Sequence, residues 1–275
     1  IPAQGGELRP INTPVGEKAG AQFSPDGKWI AYWGREGRGK WWKQNRVWVV
    51  PSDGSKSPKS LTETYDFNVA GWTINDLNQI PSTPITWSHD GAQLYFQTAL
   101  HGNTLLKAVS FDLDNPVVSD IVDDDGVIGE YSFDDSQNYL AFFHADMKNF
   151  GQIWVKNMGT GSLRKVTHLN ENLRRNIDLG TIEEVWFTGS SGNDLQGWII
   201  KPPGFKESQT YPSILEIHGG PIVQYGNLFM HEFYFLAAQG YVVYFCNPRG
   251  GDGYGEAHAK AIDNNWGVVD YEDLM

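Results

Sequence analysis

The chain has 275 residues, 40% apolar and 20% charged, with a formal net charge of −12. That apolar content supports a packed core and excludes a disordered chain, and so acidic a surface repels phosphate backbones, which argues against a nucleic-acid partner. The single cysteine, Cys246, excludes an internal disulfide and a cysteine-based zinc site.

No apolar run reaches the roughly 18–20 residues of a membrane span, so no membrane partner is expected. The opening IPAQGGELRP has neither an initiating Met nor a signal peptide, and the chain is expected to begin inside a longer protein. One cysteine suits a reducing cytoplasm and a periplasm alike. Neither a metal nor an organic cofactor is expected.

In chain order, residues 5–12 (GGELRPIN) read as the tail of an earlier β-unit. A repeat then dominates: AQFSPDGKWIAYW (21–33), ITWSHDGAQLYFQ (85–97) and YSFDDSQNYLAFF (131–143) each place a polar turn between two short apolar strands. In the first copy Pro25 presets φ, Asp26 can bond nearby backbone, and Gly27 relieves the steric limit of a tight turn. Third strands follow at 46–50, 105–111 and 152–158, and two copies reach a fourth near 59–62 and 164–167. The first copy is separated from the second by an insertion.

Four short strands per repeat predict propeller blades, and strands apolar on both faces suit sheets covered on both sides. A β-sandwich is the alternative, disfavoured because sandwiches rarely repeat one turn motif. The expectation is a partial β-propeller over 1–180, of about three blades plus a remnant.

After residue 180 the period changes. Residues 183–189 and 195–205 predict a hairpin, YPSILEIHGG a buried strand, and 232–241 an amphipathic helix stopped by Gly240. Residues 241–248 predict a second buried strand, 255–267 a second helix, and DYEDLM the start of a third. Strand, helix, strand, helix with continuous apolar strands predicts a mostly parallel α/β sheet.

HGGP (218–221) ends the first of these strands. Glycines there leave backbone N–H groups open to a developing negative charge, as in an oxyanion hole; taken alone, the pair favours an ordinary strand-ending turn. In NPRGGDGYG (247–255) the dinucleotide fingerprint fails at Glu256, and Arg249 is expected to tie its loop to an acidic neighbour. No G-x-S-x-G occurs in the chain. SLRK (162–165) lacks its companion motifs, and Cys246 is expected to be an inert buried thiol. DDDG (123–126) fails calcium-loop spacing. The basic, Trp-containing stretch 34–46 is expected to be a long hairpin loop.

LQGWIIKPPGF, YPSILEIHGGP and the run from AAQGYVVYFCNPRGGDGYG to DYEDLM together resemble the prolyl oligopeptidase family of serine peptidases, in its acylaminoacyl-peptidase and dipeptidyl-peptidase-like branch. The resemblance implies that residues 181–275 are the N-terminal part of an α/β-hydrolase domain capped by the propeller. It implies an oligopeptide substrate, an oxyanion donor at Gly220 with Gly219 giving it room, and no catalytic residue within this chain. The Ser, acid and His would follow beyond Met275, so the chain is expected to be an internal piece, inactive alone. An esterase on the same fold and a non-catalytic peptide-binding propeller are the alternatives.

Overall fold

One side-chain device closes the hairpin in each sequence repeat. In the computed structural model, which describes residues 4–71, 73–77 and 82–275, Ser24 Oγ donates to Asp26 Oδ1 (2.7 Å) and accepts the Trp29 N–H (3.0 Å). Asp26 accepts the Lys28 N–H (3.0 Å), and Gly27 turns the chain at φ +70°. Ser88, Asp90 and Gly91 repeat the pattern, with Gly91 at φ +71°. In the third copy Asp134 takes the serine's place, accepting Ser136 Oγ (2.6 Å) and the Tyr139 N–H (2.7 Å), and Gln137 takes the left-handed position.

These turns organise three antiparallel units of four strands. The first is β1 (Lys18–Phe23), β2 (Trp29–Gly34), β3 (Arg46–Pro51) and β4 (Lys59–Ser60). The second is β5 (Thr86–Trp87), β6 (Gln93–Leu100), β7 (Asn103–Ser110) and β8 (Val118–Val122); the third is β9 (Val127–Phe133), β10 (Tyr139–Asp146), β11 (Asn149–Asn157) and β12 (Leu163–Lys165). Among the described residues one parallel strand pair, Thr104 with Val127, links the sheets of the second and third units.

The units pack face to face, which is why their strands are apolar on both sides. Ala31, Val47 and Val49 of the first unit share a core with Trp87, Leu94 and Phe96 of the second. Tyr95, Leu106 and Ala108 then share another with Tyr131, Leu140 and Phe142 of the third. This serial stacking is consistent with part of a propeller. The fourth strand of the second unit, β8, was not readable in the sequence, because its Ser119 and Asp120 face solvent. Residues 5–12, expected as the remnant of an earlier blade, form no strand. They run beside the first unit, where Arg9 donates to the Asp53 carbonyl (2.8 Å) and Ile11 packs on the cluster of Tyr32, Trp48 and Val50.

A short helix, α1 (Glu171–Arg175), precedes a second kind of sheet. It contains β13 (Thr181–Thr188), β14 (Asp194–Lys201), β15 (Ser213–Glu216) and β16 (Val242–Cys246), in the order β13-β14-β16-β15. The sheet is mixed rather than mostly parallel: only β15 and β16 run parallel, because only they are joined by a helical crossover, α2 (His231–Ala238). β15 is not the buried strand the sequence suggests. It lies at the sheet's edge, paired only with β16, and Ile217 just beyond it is 51% exposed. The core between sheet and α2 is aromatic, with Trp198, Phe233 and Phe245 almost fully buried. The expected helix over 255–267 shortens to α3 (Glu256–Lys260), since Asn264 and Gly267 adopt left-handed backbone; α4 (Val269–Leu274) follows.

The insertion between the first two units bonds to the starts of two helices of the α/β unit. Asp76 caps α2, accepting the His231 and Glu232 N–H groups at 2.7 and 2.6 Å. Asp66 does the same for the Glu256 N–H at 3.1 Å. The basic loop of 34–46 is a β2–β3 connection, and its Trp42 donates to Asp263 (3.2 Å) beneath the Lys260 ammonium.

Gly27 has open space around a Cβ but a left-handed backbone. Gly27→Ala is expected to lower stability by about 1 kcal/mol, and Gly27→Asn by less; urea unfolding midpoints check both.

Candidate active-site loop

β15 delivers the chain into Ile217, His218, Gly219 and Gly220, and neither glycine is covered. Nothing lies within 4 Å of the place a Gly219 Cβ would take. Gly220 has φ +145°, and a Cβ there would stand 2.9 Å from Val223 Cγ2 and 3.2 Å from the Ile222 nitrogen. The positive φ and the crowding favour glycine at 220, and the open space at 219 leaves the loop accessible. Among the described residues neither glycine N–H has a hydrogen-bond acceptor. The loop therefore offers free backbone donors on a surface without side chains, which suits an incoming oxyanion.

Buried amides hold this loop from both sides. Asn247, fully buried just past β16, accepts the Tyr225 N–H at 2.8 Å and donates to the Tyr225 carbonyl at 2.9 Å. It also donates to Tyr254 Oη (2.7 Å) and lies 3.1 Å from His218 Nε2. Tyr254 donates to Gln196 Oε1 (2.5 Å), and Gln196 donates to Glu184 (2.8 Å), so the chain of bonds reaches β13. From the other side, Gln224, also fully buried, accepts the Gly102 N–H (2.9 Å) and donates to Thr73 Oγ1 (2.9 Å) and the Asn103 carbonyl (2.8 Å). Neither amide's role is legible in the sequence, since a buried Asn or Gln has no spacing signature.

Arg249 does what the sequence suggests. Its Nε and Nη2 grip both oxygens of Asp273, whose side chain is fully buried, at 2.8–3.1 Å, and its own N–H donates to Asp273 at 2.8 Å. This fork ties the 247–255 loop to α4. The other candidates are occupied or inert. Lys165 of SLRK pairs with Glu171 (2.6 Å) at the end of β12. Burial pushes the Cys246 thiol up to about 11, against nucleophilic use.

Burial lowers the His218 pKa, while bonds to Gly219 and Asn247 oppose that shift. Asp252 is 1% exposed at the junction with the insertion, bonded to Asn68 Nδ2 (2.9 Å) and the Gly253 N–H (2.8 Å). Burial pushes its carboxyl up to about 6 despite those two donors.

Residues 227–275 match the family described as the prolyl oligopeptidase family. The Bacillus subtilis peptidase YuxL is 30% identical over 218 residues, covering 78% of this chain and 32% of that protein. Dipeptidyl-peptidase 5 of Aspergillus fumigatus is 30% identical over 280 residues, 97% of this chain and 37% of the relative. The chain thus spans roughly a third of the length of these relatives. Among solved structures, Pyrococcus horikoshii acylaminoacyl peptidase superposes with a TM-score of 0.72 at 22% identity, over 90% of this chain and 36% of that one. A Mycobacterium tuberculosis puromycin-hydrolyzing peptidase gives a TM-score of 0.65 at 18% identity, over 97% of this chain and 47% of that one. These two likenesses show a shared fold.

Two stability predictions follow from the buried charges. Arg249→Ala leaves the Asp273 carboxylate buried and unpaired and is expected to cost about 3–5 kcal/mol, with Arg249→Lys losing the fork but less stability; guanidinium unfolding measures both. Asp252 has a folded pKa above its ordinary 3.8. Its contribution is therefore complete below about pH 4 and is lost as pH rises through 6, about 3 kcal/mol in all. Unfolding free energies from pH 4 to pH 8 should show that decline in the parent chain and a flatter curve in Asp252→Asn.

Proposed function

The chain belongs to the prolyl oligopeptidase family, and on that premise we propose that the intact protein is a serine-type peptidase hydrolysing short peptides by acyl transfer. The observation that carries this reading is the pair of free N–H groups at Gly219 and Gly220, on an exposed loop at the end of a strand in an α/β unit. Gly220 is the proposed oxyanion donor, and Gly219 leaves room for the substrate carbonyl.

In the proposed reaction a serine hydroxyl attacks the peptide carbonyl while a histidine takes its proton. The carbonyl oxygen becomes an oxyanion, and the Gly220 N–H bonds it more strongly than it bonds the ground-state carbonyl. The histidine then returns the proton to the leaving amine, and water repeats the sequence on the acyl-enzyme. One such backbone donor accounts for roughly 10²–10³ in rate. The serine, acid and histidine are assigned to sequence beyond Met275, because no G-x-S-x-G lies within these residues.

The proposed division places a partial propeller of about three blades in 1–180 and the first part of an α/β-hydrolase domain in 181–275. Stacked sheets in the first part and the β15–α2–β16 crossover in the second support it. The substrate class proposed is oligopeptides small enough to pass a propeller cap.

This chain alone is expected to be inactive. Treated with a fluorophosphonate probe, the isolated chain should show no covalently labelled serine, and the intact protein should show one. A labelled serine within these 275 residues would contradict the assignment.

A further inference from the structure

We propose that Asn247 is the positioning residue of the oxyanion loop, setting the direction of the Gly220 N–H through His218; this rests on the reading of Gly220 given above. The orientation of the Asn247 amide is fixed by Tyr225. The Tyr225 N–H can only donate and its carbonyl can only accept, so the atom 2.8 Å from the former is Oδ1 and the atom 2.9 Å from the latter is Nδ2. His218 Nε2 lies 3.1 Å from that Oδ1 and must therefore carry a proton to bond it.

The other ring nitrogen, Nδ1, lies 3.0 Å from the Gly219 carbonyl oxygen. That oxygen and the Gly220 N–H belong to one planar peptide unit and point in opposite directions. Whatever orients the Gly219 carbonyl thus orients the Gly220 N–H. Asn247 holds Nε2 and, through the ring, places Nδ1 on that carbonyl. The Nδ1 contact is a hydrogen bond when the ring is protonated and loses it when the ring is neutral. The Asn247 oxygen favours the proton-bearing forms, and burial opposes the charged one. The other titratable groups beside the ring are Tyr225, edge-on at 4.9 Å, and His258 of α3, whose own charge would oppose protonation of His218.

The test uses the intact enzyme and a chromogenic peptide amide, with kcat and KM measured from pH 5 to pH 9 for the parent, Asn247→Ala, Asn247→Asp, His218→Gln and Gly220→Ala. Asn247→Ala is expected to lower kcat about tenfold to a hundredfold, with KM within about twofold. Asn247→Asp keeps the shape and the oxygen that faces His218 while losing the donor to the Tyr225 carbonyl, and it carries the test if the alanine variant does not fold. Its carboxylate stabilises the imidazolium, and the inflection that His218 gives the kcat profile, absent in His218→Gln, should move up by about one pH unit or more. A residue acting only on stability would leave that inflection in place.

Unchanged kcat and an unmoved inflection in folded Asn247 variants, with Gly220→Ala strongly impaired, would overturn the role of Asn247 alone. An oxyanion mimic bound on the nucleophile without engaging the Gly220 N–H would overturn the oxyanion reading and this inference with it.

Discussion

The loop from His218 to Asn227 belongs to no helix or strand of its own, yet much of it is buried, and a buried backbone must find partners. At Tyr225 the Asn247 amide supplies them, and the Val223 and Gln224 carbonyls accept the Asp252 and Ile74 N–H groups. Asn247 pairs with both backbone groups of Tyr225, as a neighbouring strand would, and Gln224 pairs with Gly102, Asn103 and Thr73 across the junction. Because these partners are specific and fully buried, the loop has one arrangement in which its polar groups are satisfied. The exposed Gly219–Gly220 tip is the part left over between its two tied flanks.

Gln224 also makes the loop a joint property of both halves of the chain. Its partners come from the second unit and from the insertion before it, which also caps α2 through Asp76 and α3 through Asp66. An insertion that looks like an irregularity of the repeat is thus what docks the stacked sheets onto the α/β unit. Asp252 sits in the same junction with only neutral donors around it, so the docking carries a titrating carboxylate at its centre.

Local chemistry was legible in the sequence and long-range chemistry was not. The Ser-x-Asp-Gly turns predicted the hairpins, since every bond they need lies within five residues. Arg249 was expected to tie its loop to an acidic neighbour, but that the neighbour is Asp273 of α4 was not legible. β8 was missed because its outward residues are polar, and β15 was expected to be buried because Ile214 and Leu215 read as core while its only neighbour is β16. The oxyanion candidates were visible as glycines. Asn247 and Gln224 were invisible, because what distinguishes them is burial beside backbone more than twenty residues away or across the junction.

The central claim is that the Gly220 N–H meets the oxyanion. A crystal structure of the intact enzyme carrying a peptidyl boronate on its nucleophile tests it most directly. The account predicts a boronate oxygen within hydrogen-bond distance of the Gly220 nitrogen, about 2.7–3.1 Å, with His218 still between Asn247 and the Gly219 carbonyl. A boronate whose oxygens all bond elsewhere, leaving the Gly220 N–H unengaged, would contradict it.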